Sequence, residues 1–316
     1  MRKVLLATTA LVAMGGVSAA SADISVSGGH ELKYQTWGGA AAGAADNSNS
    51  ISSSTSYKIS ASSVADNGMS MTGYTAQDGS SGAFDDYGFT ISDDWGTIGV
   101  KGSESGDKFE TNTDITDDEG YNGATATLDH HPTDSSVSGS DVSYLSPDMN
   151  GFQFSVGLAD TGKKADRTAY GAQYKTSAGD ASITIKYAAD STGDSASGAG
   201  DKSSASSMGL VVASGNLTLT VAQNDTNVDN DAEQYTAGSV AVAYKVSDVL
   251  TVEAYTGETE DDKDAGFEFK DTGYGLTYTV VSGLTASVTH NSWDWKDTGS
   301  AADSGTNTAV ALNLSF

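Results

Sequence analysis

From Asp23 onward, apolar side chains recur at every second position, and helical spacing is not sustained anywhere. This period constrains the chain more than any other feature. Side chains of an extended strand alternate between two faces, whereas a helix returns to the same face about every 3.6 residues. Ile183, Ile185 and Tyr187 oppose Thr184 and Lys186; Leu217, Leu219 and Val221 oppose Thr218 and Thr220. Tyr274, Leu276, Tyr278 and Val280 oppose Gly275, Thr277 and Thr279. Sixteen such segments are expected, near 23–36, 55–65, 69–77, 84–92, 96–102, 139–146, 151–159, 167–176, 180–188, 205–214, 216–223, 235–246, 249–257, 272–280, 283–291 and 307–316.

The connectors alternate as well. Tight ones such as 65–68, 177–179, Gly215, 247–248 and 282–283 follow even-numbered strands. Long ones, at 37–54, 103–138, 189–204, 224–234, 258–271 and 292–306, follow odd-numbered strands. An even strand number with short turns at one end and long loops at the other predicts an all-β fold, a transmembrane antiparallel β-barrel of 16 strands. A β-sandwich has no reason to keep that rhythm along its whole length. The last strand, with Val310, Leu312, Leu314 and Phe316 on one face, is expected to close the barrel against the first. Only two prolines interrupt the chain, as uninterrupted strands require.

The N-terminus reads as a secretory signal. Arg2-Lys3 precede the apolar run Val4–Val17, and Ala20-Ser21-Ala22 supplies the small-residue cleavage pattern. Residues 1–22 are therefore assigned to a signal peptide and 23–316 to a single barrel domain. With no cysteine there is neither a disulfide framework nor a thiolate metal site. The net charge of −26 excludes binding to nucleic acid by charge.

If the apolar faces meet lipid, charged strand residues should fall on the other parity, because a charge at mid-bilayer costs about 2–4 kcal/mol on a barrel's outer face. Glu31, Lys33, Lys58, Lys101, Lys175, Lys186, Lys245 and Glu253 all do. Aromatic residues near strand ends, among them Tyr34, Trp37, Tyr57, Tyr74, Tyr87 and Phe316, are expected to form the girdles at the lipid interfaces. Inward positions read as mostly Ser, Thr, Gly and Lys.

Two segments carry a family likeness. Asp94-Trp95-Gly96-Thr97-Ile98-Gly99-Val100-Lys101-Gly102 resembles the aromatic-Gly-Thr turn that enters the strand before the constriction loop of general porins, particularly the alphaproteobacterial type. Asp141–Phe152, with Tyr144, Ser146-Pro147 and Gly151-Phe152, resembles the hairpin that follows that loop. The final strand ending in Phe316 is similar to the assembly signal that the barrel assembly machinery of Gram-negative bacteria reads. This resemblance implies an outer-membrane homotrimer whose third long loop folds into the lumen.

Residues 103–138 occupy the position of that loop and contribute Glu104, Asp107, Glu110, Asp114, Asp117, Asp118 and Glu119 as constriction carboxylates. The family places a basic cluster, usually arginines, on the opposite wall. Arg167 is the only arginine after the signal, so the stand-ins are Lys33, Lys58 and Lys101, with Arg167, Lys175 and Lys186 elsewhere around the lumen. Few cations facing many carboxylates imply a cation-favouring pore for small hydrophilic solutes.

No catalytic or metal constellation emerges. His130-His131 have no third ligand nearby, and Gly-x-Ser-x-Gly and His-Glu-x-x-His are both missing. The segment 225–233 spaces Asp225, Asp229, Asp231 and Glu233 without the turn glycine of a calcium loop, which leaves weak divalent binding at most. The acidic mouth loops, 258–271 among them, would bridge through such ions to lipopolysaccharide. No cofactor and no enzymatic activity are expected. Two alternatives stand beside the general pore. One is a secreted acidic surface or adhesin protein. The other is a substrate-selective sugar-type porin, whose mark would be a line of aromatics through the lumen.

Overall fold

The computed structural model describes residues 23–38, 48–77, 84, 86–101, 109, 141–159, 167–192, 203–228, 233–263, 266–296 and 302–316. The signal segment and nearly all of 103–138 lie outside them. Sixteen strands run in chain order: β1 (Asp23–Gly38), β2 (Ser48–Val64), β3 (Ser70–Gln77), β4 (Asp86–Asp93), β5 (Gly96–Val100), β6 (Val142–Leu145), β7 (Phe152–Ala159) and β8 (Arg167–Ala178). The second half comprises β9 (Ala181–Thr192), β10 (Ser203–Ser214), β11 (Leu217–Val228), β12 (Glu233–Ser247), β13 (Leu250–Asp261), β14 (Glu268–Val281), β15 (Leu284–Lys296) and β16 (Asp303–Ser315). Every strand pairs antiparallel with its sequence neighbours, and β16 pairs with β1, so the sheet is a closed barrel. Closure removes both sheet edges and satisfies the backbone within the wall, which a bilayer demands of any strand that crosses it.

The barrel is apolar outside and polar inside. Leu276 is 40 % exposed and Tyr274 60 %, while Asp271 and Asn307 on the opposite parity are 1 % and 3 % exposed. A soluble sandwich would bury the first pair and expose the second. Outward residues such as Leu210, Leu219, Val221, Val240 and Val242 form a continuous apolar surface suited to lipid.

The seam is held by backbone and ring together. Gly28 N donates to Phe316 O at 3.0 Å and Phe316 N to Gly28 O at 3.1 Å. The Phe316 ring lies 6.2 Å from that of Tyr57 on β2. Gly28 is required there: a Cβ would sit 2.6 Å from the Ser56 carbonyl oxygen and 2.9 Å from Phe316 Cζ. At the β14–β15 turn, Gly283 adopts φ 81°, which favours glycine, and approaches the backbone of Ser315 on β16.

Sixteen strands, tight turns after the even ones and a long third connector agree with the sequence reading. β1, β2 and β9 to β16 reach further at the long-loop end than periodicity indicated, whereas β5 and β6 stop short of it. β2 starts at Ser48 where 37–54 was read as loop, and β13, β14, β15 and β16 absorb most of 258–271 and 292–306. The wall continues there past the apolar belt, where the outer face turns polar and an apolar outer series no longer marks the strand.

The candidate functional site: a lumen with an aromatic wall

Directly opposed residues of paired strands share a face, so the register assigns every inward side chain. Lys33 and Glu31 on β1, Lys58 on β2, Arg167 and Lys175 on β8, Lys186 on β9, Lys245 on β12 and Glu253 on β13 all lie on the lumen parity. β1 and β9 are half a ring apart. Five of the cations thus form two groups on opposite walls, Lys33 with Lys58 and Arg167 with Lys175 and Lys186, and Lys245 on β12 stands apart.

Several of these cations are engaged. Lys33 is 7 % exposed, with its ammonium 3.9 Å from Glu31. The Lys58 ammonium lies 4.2 Å over the Tyr74 ring. Arg167 Nε is 3.7 Å from Asp190, whose other carboxylate oxygen accepts from Ala205 N at 3.1 Å. Lys101 leaves the strand at φ 57° and its ammonium pairs with the Asp141 carboxylate. Its backbone N–H also donates to Asp141 O at 2.7 Å, so the two residues clasp the base of the long connector.

Phe109 is the one described residue within 103–138. It is 2 % exposed and forms a buried cluster with Leu145, Ala188 and Ala205 of β6, β9 and β10. All three wall residues face inward, so this phenyl ring is inside the barrel. The constriction carboxylates Glu104, Asp107, Glu110, Asp114, Asp117, Asp118 and Glu119 lie outside the described residues, as do Asp229, Asp231 and the Glu233 side chain. Asp225 is described and faces outward, taking a 3.1 Å hydrogen bond from Thr236 Oγ1. No cluster of metal-ligating side chains occurs among the described residues.

The inner surface also corrects one expectation. Trp37 and Tyr74 are not girdle residues: both face the lumen, Trp37 opposite Asn307 and Tyr74 opposite Gly88, whose missing Cβ makes room for the tyrosine ring. Inward positions are otherwise mostly Ser, Thr, Gly and Lys, as the sequence indicated, but one patch departs from that pattern. Along the long-loop half of β12 to β1, cross-strand rows place rings side by side. One row runs Thr259, Phe269, Trp295; the next runs Gly257, Asp271, Trp293, Gly305. The third runs Tyr255, Gly273, Asn291, Asn307, Trp37.

Glycines recur beside the rings for a steric reason: a Cβ on Gly305 would collide with the Trp293 indole lying over it. Tyr255 donates its hydroxyl to the Asp271 carboxylate. Tyr235, inward on β12, meets Phe267 edge-on at 5.3 Å. The signal for this wall was available in the sequence, because parity counted on from Tyr34 puts Trp37 inside.

A family model described as Gram-negative porin matches residues 7–297. No curated protein matches the sequence significantly. Among solved structures, the anion-selective porin from Comamonas acidovorans superposes with a TM-score of 0.70 at 11 % identity, covering 93 % of this chain and 100 % of that one. The trimer form of OmpT, an outer membrane protein of Vibrio cholerae, gives 0.66 at 14 % identity over 93 % and 99 %. The outer membrane channel DcaP of Acinetobacter baumannii gives 0.65 at 13 % identity over 93 % and 97 %. At such identities the structures speak for the fold, and the family match speaks for descent: this chain belongs to the Gram-negative porins, channel-forming barrels of the outer membrane.

Proposed function

We propose that the protein is a passive diffusion pore of the general, alphaproteobacterial type, exported by residues 1–22, assembled as a homotrimer and favouring cations. The observation that carries this reading is Phe109 packed inside a closed sixteen-strand barrel, as expected if 103–138 narrows the lumen. A connector of that length calls for a functional reason. Its seven named carboxylates, in a chain of net charge −26, would concentrate cations at the constriction. One structural neighbour is called anion-selective, so the fold leaves selectivity to the side chains. Fold and family point to a channel rather than an enzyme. Lipopolysaccharide and weakly held calcium are assigned to the acidic mouth loops, and Phe316 to recognition by the assembly machinery. Planar-bilayer recording tests this reading: conductance should appear in three equal steps, with a reversal potential toward the cation limit. Single steps or anion preference would overturn the trimer or the selectivity.

The trimer face is proposed at β1–β2. His30 and Thr55 oppose each other on the outer surface, with His30 Nδ1 2.8 Å from Thr55 Oγ1, and Ser53 opposes Leu32 beside them. Apolar residues lie on both sides, Val26 and Ile59 below, Tyr34 and Ile51 above. Polar side chains inside an apolar belt are better placed against protein than against hydrocarbon. Lipid would tolerate Thr55→Trp, whereas a packed interface would not. The variant is expected to run as folded monomer on a mild-detergent gel. An intact trimer would move the interface elsewhere.

A further inference from the structure

We propose that the lumen wall from β12 to β1 is a binding path for neutral saccharides, with pyranose rings stacking on Trp37 and Trp295. The proposal rests on the channel reading and adds a solute class to it. Three of the four tryptophans, Trp37, Trp293 and Trp295, face the lumen. In a membrane barrel, tryptophan belongs at the lipid interface, where its ring meets acyl chains and its N–H meets water. Apolar rings on the lumen side give up that gain, and an open pore has no need of them.

Trp37, Trp295, Tyr235 and Phe267 are half-buried. Tyr255, Phe269 and Trp293, in the same cross-strand rows or the adjoining one, are buried. Among these rings stand neutral hydrogen-bonding groups. Asn307 Oδ1 and Thr259 Oγ1 have no hydrogen-bond partner, although the two residues are 3 % and 1 % exposed. The indole N–H groups of Trp37 and Trp295 have none either. Buried polar atoms normally find partners, so four without one along a single wall require a reason.

A sugar fits both halves of this surface. The C–H face of a pyranose is flat, apolar and slightly positive, which suits the negative face of an indole. Its hydroxyl rim both donates and accepts, which suits amide and hydroxyl groups. Ionic groups along this wall are already committed, Asp271 to the Tyr255 hydroxyl, Asp261 to the Gln234 and Lys263 backbone N–H groups and Lys33 to Glu31. That favours an uncharged solute over an organic cation, which the same rings would otherwise attract.

The test is single-channel recording of the full-length protein in molar KCl, with maltohexaose, a polyethylene glycol of similar mass and tetraethylammonium added in turn. Maltohexaose should interrupt the current at millimolar concentration, and the glycol should not. In the double variant Trp37→Ala, Trp295→Ala the interruptions should shorten roughly tenfold while stepwise KCl currents persist. The corresponding Trp→Phe pair, which keeps a ring at each site, should retain part of the effect and guards against misfolding. Equal interruption by sugar and glycol, interruption unaffected by the alanines, or a response to tetraethylammonium alone would overturn the proposal. Absence of any KCl step would overturn the channel reading, and this one with it.

Discussion

Removing Phe316 is expected to leave most of the protein unfolded or degraded rather than inserted. The residue contributes both backbone bonds to Gly28, at 3.0 and 3.1 Å, and the ring that covers Gly28 and meets Tyr57. Two backbone bonds contribute about 1 kcal/mol each in water, and an aromatic contact adds about 0.5–1.5 kcal/mol. In hydrocarbon the orphaned Gly28 groups cost more, because no water replaces the lost partner. The total, roughly 3 kcal/mol or above, acts at the one strand pair that the chain closes last in sequence.

The measurement is the fraction of protein running as heat-modifiable folded barrel after expression to the outer membrane. Phe316→Ala separates two contributions, since it keeps the backbone bonds and loses the ring. If refolding in detergent is normal for Phe316→Ala while insertion in cells fails, recognition by the assembly machinery accounts for the effect. If both fail, the seam does. Normal yield in both assays would remove Phe316 from either role.

What the sequence made legible depends on height along the barrel. Inside the apolar belt, Ile183, Ile185 and Tyr187 alternate with lumen residues, and strand and parity follow from the period alone. Above the belt the outer face turns polar. On β15 the outward series runs Val288, His290, Ser292, Asp294, while the inward one ends in Trp293 and Trp295. Hydrophobic parity therefore inverts part-way along one strand, which made 292–306 look like a loop and hid two of the wall's tryptophans.

On β13 and β14 the same inversion sets Glu258 and Lys270 outside, in a 3.1 Å ion pair, with Thr259 and Phe269 inside. Carrying the period of two through the change of chemistry would have found them. Trp37 was misplaced for a different reason, since proximity to a strand end was allowed to outweigh its parity. The cations were assigned to the correct face because a single lysine on the wrong face of the belt is costly enough to be excluded. Their pairing partners were not legible: Tyr74 over Lys58 and Asp141 on Lys101 depend on which strands become neighbours.

Neutralising the loop should have the largest effect on permeation. With Asp114, Asp117, Asp118 and Glu119 changed to their amides, the cation preference of the pore is expected to fall steeply while the KCl step changes much less. A tenfold salt gradient across an ideally selective pore gives about 59 mV for a monovalent ion. The unmodified protein should exceed half of that at decimolar salt, and the amide variant should drop below it. Salt concentration supplies the internal control. Charges act over about 10 Å at 0.1 M but only about 3 Å at 1 M, so a preference set by loop carboxylates should weaken in molar salt even without mutation. If selectivity instead survives both molar salt and the four amides, the acidic loop is not its source. The lumen carboxylates of the wall, Asp190 beside Arg167 and Glu253 on β13, would then be the groups to change next, because they remain inside the barrel wherever the loop lies.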